Sequence, residues 1–199
     1  MKEKYIHTLF IAGLLLSFFF SGMGNDAYAQ KSDKAADGEE SKEDFEAASG
    51  MFEGLDAMEA MALANKLGEG KNSFTSFITP ESINIKIPGG KTFSVPLPED
   101  RMVVAIAPYV KTTHKCSTHY MSGCKGELFE EDVSVIAKKK DGSVILSKDM
   151  KTMSNGFIEL WLPRDLEIDL TIVYKDMKSG GTITTNSDSK TCITTFQLK

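Results

Sequence analysis

Histidine and cysteine are scarce in this chain: three of each in 199 residues. There is also no excess of positive charge. Lysine and arginine number 23 against 28 acidic residues, a net charge of −5. With no basic stripe to overrule that balance, a nucleic-acid partner is excluded. The densest basic run, Lys138-Lys139-Lys140 before Asp141-Gly142, reads as a solvated hairpin end. No phosphate-cradling glycine loop is present, and no motif places a serine with both a histidine and an acid. The longest apolar run, Leu9 to Phe20, falls short of the roughly 20 residues a good membrane-spanning helix needs.

That short run has another reading. Lys2 and Lys4 precede it, and Ala27-Tyr28-Ala29 follows as a small-residue cleavage site before Gln30. This is the pattern of a secretory signal peptide over residues 1–29. No cysteine lies near the cleavage point, so a lipoprotein anchor is not expected. The mature chain is expected to be exported without a membrane span. It would be periplasmic where the envelope has two membranes and secreted otherwise, in either case where disulfides can form.

Removing that segment removes His7. The two remaining histidines, His114 and His119, then fall in one stretch with Cys116 and Cys124, THKCSTHYMSGCKGE. The third cysteine, Cys192, lies near the C-terminus. An odd cysteine in an exported protein pairs between chains or keeps a thiol for a purpose.

Along the chain, residues 30–43 are polar and charged and read as a disordered acidic linker. Residues 44–81 form a small helical region. Asp56 is an N-cap with Glu59 three residues later, a capping-box pattern. Ala57 to Leu67 is rich in strong helix formers, and Gly68 is placed to end the helix. An earlier turn or helix is expected at Phe45 to Phe52. Such short helices do not fold alone, so they must pack on the rest of the chain or on a second copy.

From residue 82 to 199 the period changes to two. Ile83, Ile85 and Ile87 alternate with polar residues, and Thr92 to Leu97 offers a short partner. Met102 to Ala107 reads as a central strand. Further strands are expected at Asp132–Lys138, Ser143–Ser147, Phe157–Leu162, Leu166–Tyr174, Thr182–Asn186 and Cys192–Leu198. Asp141-Gly142 marks a hairpin. The fold class is mainly β with a small α-helical N-terminal region, the C-terminal part an antiparallel β-sandwich or barrel.

Thiolate sulfur and imidazole nitrogen suit Cu(I) and Zn(II), not Ca or Mg. The final strand can add Cys192 to the loop ligands if its face with Thr194, Phe196 and Leu198 is the core side. Spacing alone does not decide among a metal site, a structural disulfide and a combination of both. In the combined case, two thiolates closing to a disulfide release two electrons, enough to reduce two Cu(II) ions. The remaining cysteine and a histidine then hold Cu(I). Such a cupric reductase stops after one round without an external thiol reductant. A structural β domain with one disulfide and a spare thiol is the alternative, as is a zinc-binding protein. A thiol oxidoreductase acting on proteins would want a C-x-x-C motif at a helix N-terminus, which is missing.

Longer words of sequence flank the cluster. They include Ala107-Pro108-Tyr109-Val110, Thr113-His114-x-Cys116-x-x-His119, Cys124-x-Gly126-Glu127-Leu128 and Asn155-Gly156-Phe157. Trp161-Leu162-Pro163-Arg164 and Thr191-Cys192-Ile193-Thr194-Thr195-Phe196-Gln197-Leu198 follow. From about Ser82 onward the chain resembles the CueP family of periplasmic copper-binding proteins. The resemblance implies copper resistance, reduction of Cu(II), and supply of copper to an exported superoxide dismutase, a metallochaperone role. It implies a thiol-reducing partner protein and a helical region used in homodimer contact. The family's cysteines match Cys116, Cys124 and Cys192, and its histidines match His119 and His114.

Other residues have two readings each. Met58, Met61 and Met121 carry thioethers but are more often packing. Tyr120 could stack near the site or merely cover apolar surface. Glu127 could accept from a histidine N–H or sit at an exposed strand end. Gly123 and Gly126 are expected to let the backbone turn around Cys124. Trp161 and Tyr109 are expected in the core or the site wall, and Arg164 beside an acid.

Overall fold

The computed structural model describes residues 36–69 and 74–199. The expected signal peptide and the first part of the expected linker lie outside the described residues. Among the described residues two helices come first, α1 (Ala36–Gly50) and α2 (Ala57–Glu69). The second half of the expected linker is thus the start of α1. Its composition is too polar to bury a face, but alanine, glutamate and lysine are good helix formers, and Lys42 and Glu46 sit one turn apart at 3.8 Å.

The entry to α2 follows the sequence closely. Asp56 accepts from the Met58 and Glu59 amides at 2.8 and 2.9 Å, and its own amide donates to the Glu59 carboxylate at 3.0 Å. Removing this reciprocal cap with Asp56→Ala is expected to cost about 1 kcal/mol, read as a lower denaturant midpoint. The exit of α2 differs from expectation. Gly68 lies inside the helix, and a Cβ there would stand 2.7 Å from the Met121 carbonyl oxygen. The glycine permits close approach to the cysteine-bearing loop and does not end the helix.

Among the described residues eleven strands follow: β1 (Thr75–Ile78), β2 (Ser82–Lys86), β3 (Thr92–Pro96), β4 (Arg101–Ile106), β5 (His119–Tyr120), β6 (Asp132–Lys139), β7 (Val144–Lys151), β8 (Ile158–Pro163), β9 (Glu167–Tyr174), β10 (Met177–Thr184) and β11 (Cys192–Ile193). They form three sheets, ordered β3-β2-β1-β5, β10-β9-β6-β7 and β11-β4-β8. All pairings are antiparallel except β11 on β4. The fold is mainly β with a small N-terminal helical region, as the sequence implied. β1 begins within the stretch assigned to helices, where a single strand of four residues carries too short an alternation to be seen.

The sheet β11-β4-β8 is the middle layer. On one face, Met102, Val104, Ile106, Ile158, Leu160 and Leu162 meet Val135, Leu170 and Ile172 of the β10-β9-β6-β7 sheet. On the other, Val103 and Trp161 meet α2 and the β3-β2-β1-β5 sheet through Ala60, Met61, Ile78 and Ile83. Burial on both faces explains why β4 reads as an unbroken apolar run, MVVAI. The helices pack on the chain's own sheet. The Lys138–Lys140 run is exposed, and Lys140 pairs with Asp169 at 2.6 Å and Glu167 at 3.2 Å. Among the described residues no helix is long and apolar enough to cross a membrane.

Candidate metal centre

The second face of the middle sheet builds the floor of the site. Strand register aligns Glu159, Ala105 and Cys192 in one row across β8, β4 and β11. Next on that face come Phe157 and Ala107, and these residues with Cys124 form a separate buried cluster. Alanine at 105 and 107 leaves room above β4. A larger residue at either position would crowd Cys124, which packs against both.

The loop from β4 to β6 fills it. The Glu127 carboxylate accepts from the amides of Val110, Lys111 and Thr112 at 2.7, 2.9 and 3.2 Å. Burial opposes its charge, but these three donors prevail and hold its carboxyl below the ordinary range. Glu127 thus shapes the backbone leading to His114, a role neither sequence reading assigned. Thr191 ties the other side. Its hydroxyl accepts from the His119 amide at 3.1 Å and donates to the Ile78 carbonyl at 2.8 Å. The Ser117 carbonyl accepts from the amides of both Thr191 and Cys192. β1, β5 and β11 are thereby pinned at one point.

These constraints bring three sulfurs and one imidazole together. Ligand atoms of His114, Cys116, Cys124 and Cys192 all lie within 4.8 Å of one another. The alternation expected along the last segment holds: Cys192, Thr194, Phe196 and Leu198 are all buried. All three cysteines are free thiols, with Sγ of Cys116 and Cys124 3.5 Å apart. A tetrahedral site with metal–sulfur bonds of about 2.3 Å sets its sulfurs roughly 3.8 Å apart. Closing this group on an ion needs only small side-chain movement.

The thiols are not equivalent. Cys124 is held well below the ordinary thiol range, chiefly because Cys192 donates to it, with burial opposing and His119, the Tyr120 amide and Cys116 assisting. Cys192 is pushed far up by the same contact and by burial. Cys116, half-buried, is also raised, mainly by burial. Of the three sulfurs, Cys124 is thus the one whose ionised form the cluster favours.

His119 lies outside the group of four but directly behind it. It is fully buried, its ring 4.5 Å from that of Phe157 and its Nε2 3.8 Å from Glu159 Oε1. Neither ring nitrogen meets a hydrogen-bond partner at full geometry, though the ring stands close enough to Cys124 to lower its thiol. Glu159 accepts from Asn65 Nδ2 on α2 through both oxygens, at 2.9 and 3.0 Å. Burial pushes its carboxyl up to about 7, against the lowering effect of Asn65. The folded state thus keeps this proton more tightly than the unfolded chain. Glu159's own contribution to stability should therefore fall by about 3 kcal/mol as pH rises from about 4.5 to 7, while the lowered Cys124 thiol works in the opposite sense, so the fall is read as the difference between wild type and Glu159→Gln. Glu159→Gln is expected to remove that fall, seen by comparing denaturant midpoints of the two metal-free, reduced proteins across this range.

Other expectations resolve as follows. Met61 and Met121 are buried in the apolar cluster under α2, and Met58 is exposed. Tyr120 lies against Phe77 at 5.3 Å, covering surface. Arg164 donates from Nε to the Pro98 carbonyl at 3.3 Å and not to an acid. Gly126 is demanded by close approach: a Cβ would stand 2.5 Å from the Gly156 carbonyl oxygen. Gly156 itself has φ of 81°. Sequence reasoning missed Asn65, Phe157, Glu159, Thr191 and Met153, the last packed against the cysteine cluster. Only Glu159 left a signal, as an acid inside the otherwise apolar word FIELWL.

Three thiol sulfurs and imidazole on a β scaffold define a binding domain for a soft metal ion. A family model described as the periplasmic copper-binding protein CueP matches residues 56–197. The chain therefore belongs to the CueP family of periplasmic copper-binding proteins. Two chains of solved structures match. One, from the crystal structure of S.CueP, aligns with a TM-score of 0.71 at 29% identity, covering 86% of this chain and all of that one. No curated protein sequence matches.

Proposed function

We propose that the protein is an exported copper handler that reduces Cu(II) with its own thiols and retains Cu(I). Cys116, Cys124 and Cys192 supply sulfur, and His114 supplies the nitrogen. His119, buried behind Cys124, supports the site from below. The observation that carries this reading is the convergence of four soft or borderline donors within 4.8 Å. Three of them come from the segment between β4 and β6 and one from the final strand.

The redox step balances without a further oxidant. Two cysteine thiols give up two protons and two electrons, forming one disulfide, while two Cu(II) ions become Cu(I). The 3.5 Å separation of Cys116 and Cys124 sulfurs favours this pair. Cys192 and a histidine then remain for Cu(I). Renewal requires an external thiol donor, and Cys116, the least buried of the three sulfurs, is the one it would reach. The same exposure supports transfer of copper to an exported acceptor, for which the family resemblance implies a superoxide dismutase.

Anaerobic titration of the reduced protein with Cu(I) against a competing chelator, followed by Cu(II) addition and thiol counting, tests the reading. Tight Cu(I) uptake and loss of two thiols per two Cu(II) reduced are expected. Retention of zinc but not Cu(I) would replace copper with zinc. A disulfide resistant to reduction, with no metal uptake, would reduce the protein to a structural β domain.

A further inference from the structure

The Cu(I) site as proposed uses no residue of α2, yet α2 reaches toward it. We propose that Asn65 and Glu159 are positioning residues of the metal centre, acting through His119 to set the imidazole against Cys124. The inference rests on the copper-site reading for its function, but its geometry stands independently.

Three observations carry it. First, Glu159 is placed where a carboxylate is costly. It faces α2 on the apolar side of β8, between Phe157 and Trp161, with its side chain only 12% exposed. An isolated buried carboxylate is strongly disfavoured unless its oxygens are met. Second, Asn65 meets both oxygens with one amide nitrogen, at 2.9 and 3.0 Å. That fork fixes the carboxylate plane from a separate element, the helix, across 94 positions of sequence. Third, the fixed carboxyl presents Oε1 to His119 Nε2 at 3.8 Å, and His119 is fully buried with neither ring nitrogen in a hydrogen bond of full geometry.

Above the range in which Glu159 holds its proton, its carboxylate facing one imidazole nitrogen favours the tautomer with the proton on that nitrogen and leaves the opposite lone pair free. Here the proton is placed on Nε2 and the lone pair on Nδ1. Phe157, tilted against the ring at 4.5 Å, and the Thr191 hydroxyl on the His119 amide hold the ring and its backbone. The imidazole then stands beside Cys124 in one orientation. Row alignment of Glu159 with Ala105 and Cys192 sets the carboxylate, the gap over Ala105 and the third sulfur at one level of the sheet. The helix is thereby joined to the centre by a chain of side chains, Asn65 to Glu159 to His119 to Cys124.

The test uses the full reduced protein and two readouts. Nitrogen-15 spectra of the imidazoles, taken above the range in which Glu159 holds its proton and assigned with His114→Gln, report the His119 tautomer without metal. The wild type is expected to show a single form protonated at Nε2. Glu159→Gln and, separately, Asn65→Leu are expected to mix or invert it. Both variants should also weaken Cu(I) retention against a chelator by about 10- to 100-fold. A tautomer unchanged in both variants would overturn the proposal, as would a changed tautomer with unaltered Cu(I) retention. A tautomer that shifts as expected in a protein whose wild type retains no Cu(I) would leave the positioning chain standing and sink the copper reading instead. Should Glu159→Gln fail to fold, Asn65→Leu, which alters only the far end of the chain, decides.

Discussion

Cys124→Ser is expected to weaken Cu(I) retention by about 100-fold or more, equivalent to about 3 kcal/mol, and to abolish Cu(II) reduction. Cys124 is the hub of the sulfur cluster. Cys192 donates to it, Cys116 lies 3.5 Å away, and His119 and the Tyr120 amide also favour its thiolate. Serine keeps the shape of the side chain but offers a hard oxygen that stays protonated, a poor donor for Cu(I). Electron donation runs through thiolate, not thiol, and burial opposes ionisation of both remaining cysteines. Chelator competition measures the first loss, and single-turnover formation of Cu(I) with thiol counting measures the second. Wild-type-like Cu(I) retention in Cys124→Ser would remove Cys124 from the site. Since serine is nearly isosteric, the folded fraction should be unchanged, which separates loss of chemistry from loss of structure.

The second large effect is structural. Gly126→Ala is expected to destabilise the protein by about 3 kcal/mol, at the upper end for overpacking, and to weaken Cu(I) retention with it. The added carbon would stand 2.5 Å from the Gly156 carbonyl oxygen and 3.2 Å from the Ala107 side chain. Neither can yield by a change of side-chain rotamer. Gly126 also donates its amide to the Asn155 carbonyl at 2.7 Å, and Gly156 is held at positive φ. The clash must therefore move backbone between Cys124 and Glu127, which carry a sulfur and the carboxylate that shapes the loop. Denaturant titration of the metal-free protein checks the stability change. Stability within 1 kcal/mol of wild type, by the scale of ordinary surface substitutions, would mean that the two glycine segments separate easily.

Much of this architecture was legible in the sequence because its signals are local. The Asp56–Glu59 cap, the Asp141-Gly142 hairpin and the alternation of Cys192 to Leu198 all depend on residues a few positions apart. Convergence of Cys192 with the loop cysteines was legible as a condition, since alternation says which face a residue occupies but not what lies opposite. What stayed hidden depends on contacts between distant segments. The strand near the C-terminus was expected only from Thr182. β10 in fact starts at Met177, and a Cβ at Gly181 would press to 3.3 Å from the Phe196 ring. Glu127 could not be assigned because its partners are three backbone amides, which leave no trace in side-chain identity. Asn65 and Glu159 looked unrelated for the same reason. The two histidines were separable only in three dimensions: His114 joins the sulfurs and His119 sits behind them.

Pairing of β11 with β4 in parallel has a consequence for biosynthesis. Cys192 is the last of the donors to be synthesised, and its strand docks beside one laid down much earlier. A growing chain can present Cys116 and Cys124 to the solvent long before the third sulfur exists. In the proposed copper site the third sulfur joins the other two only once β11 is seated on β4, so the full donor set would be a property of the finished β domain.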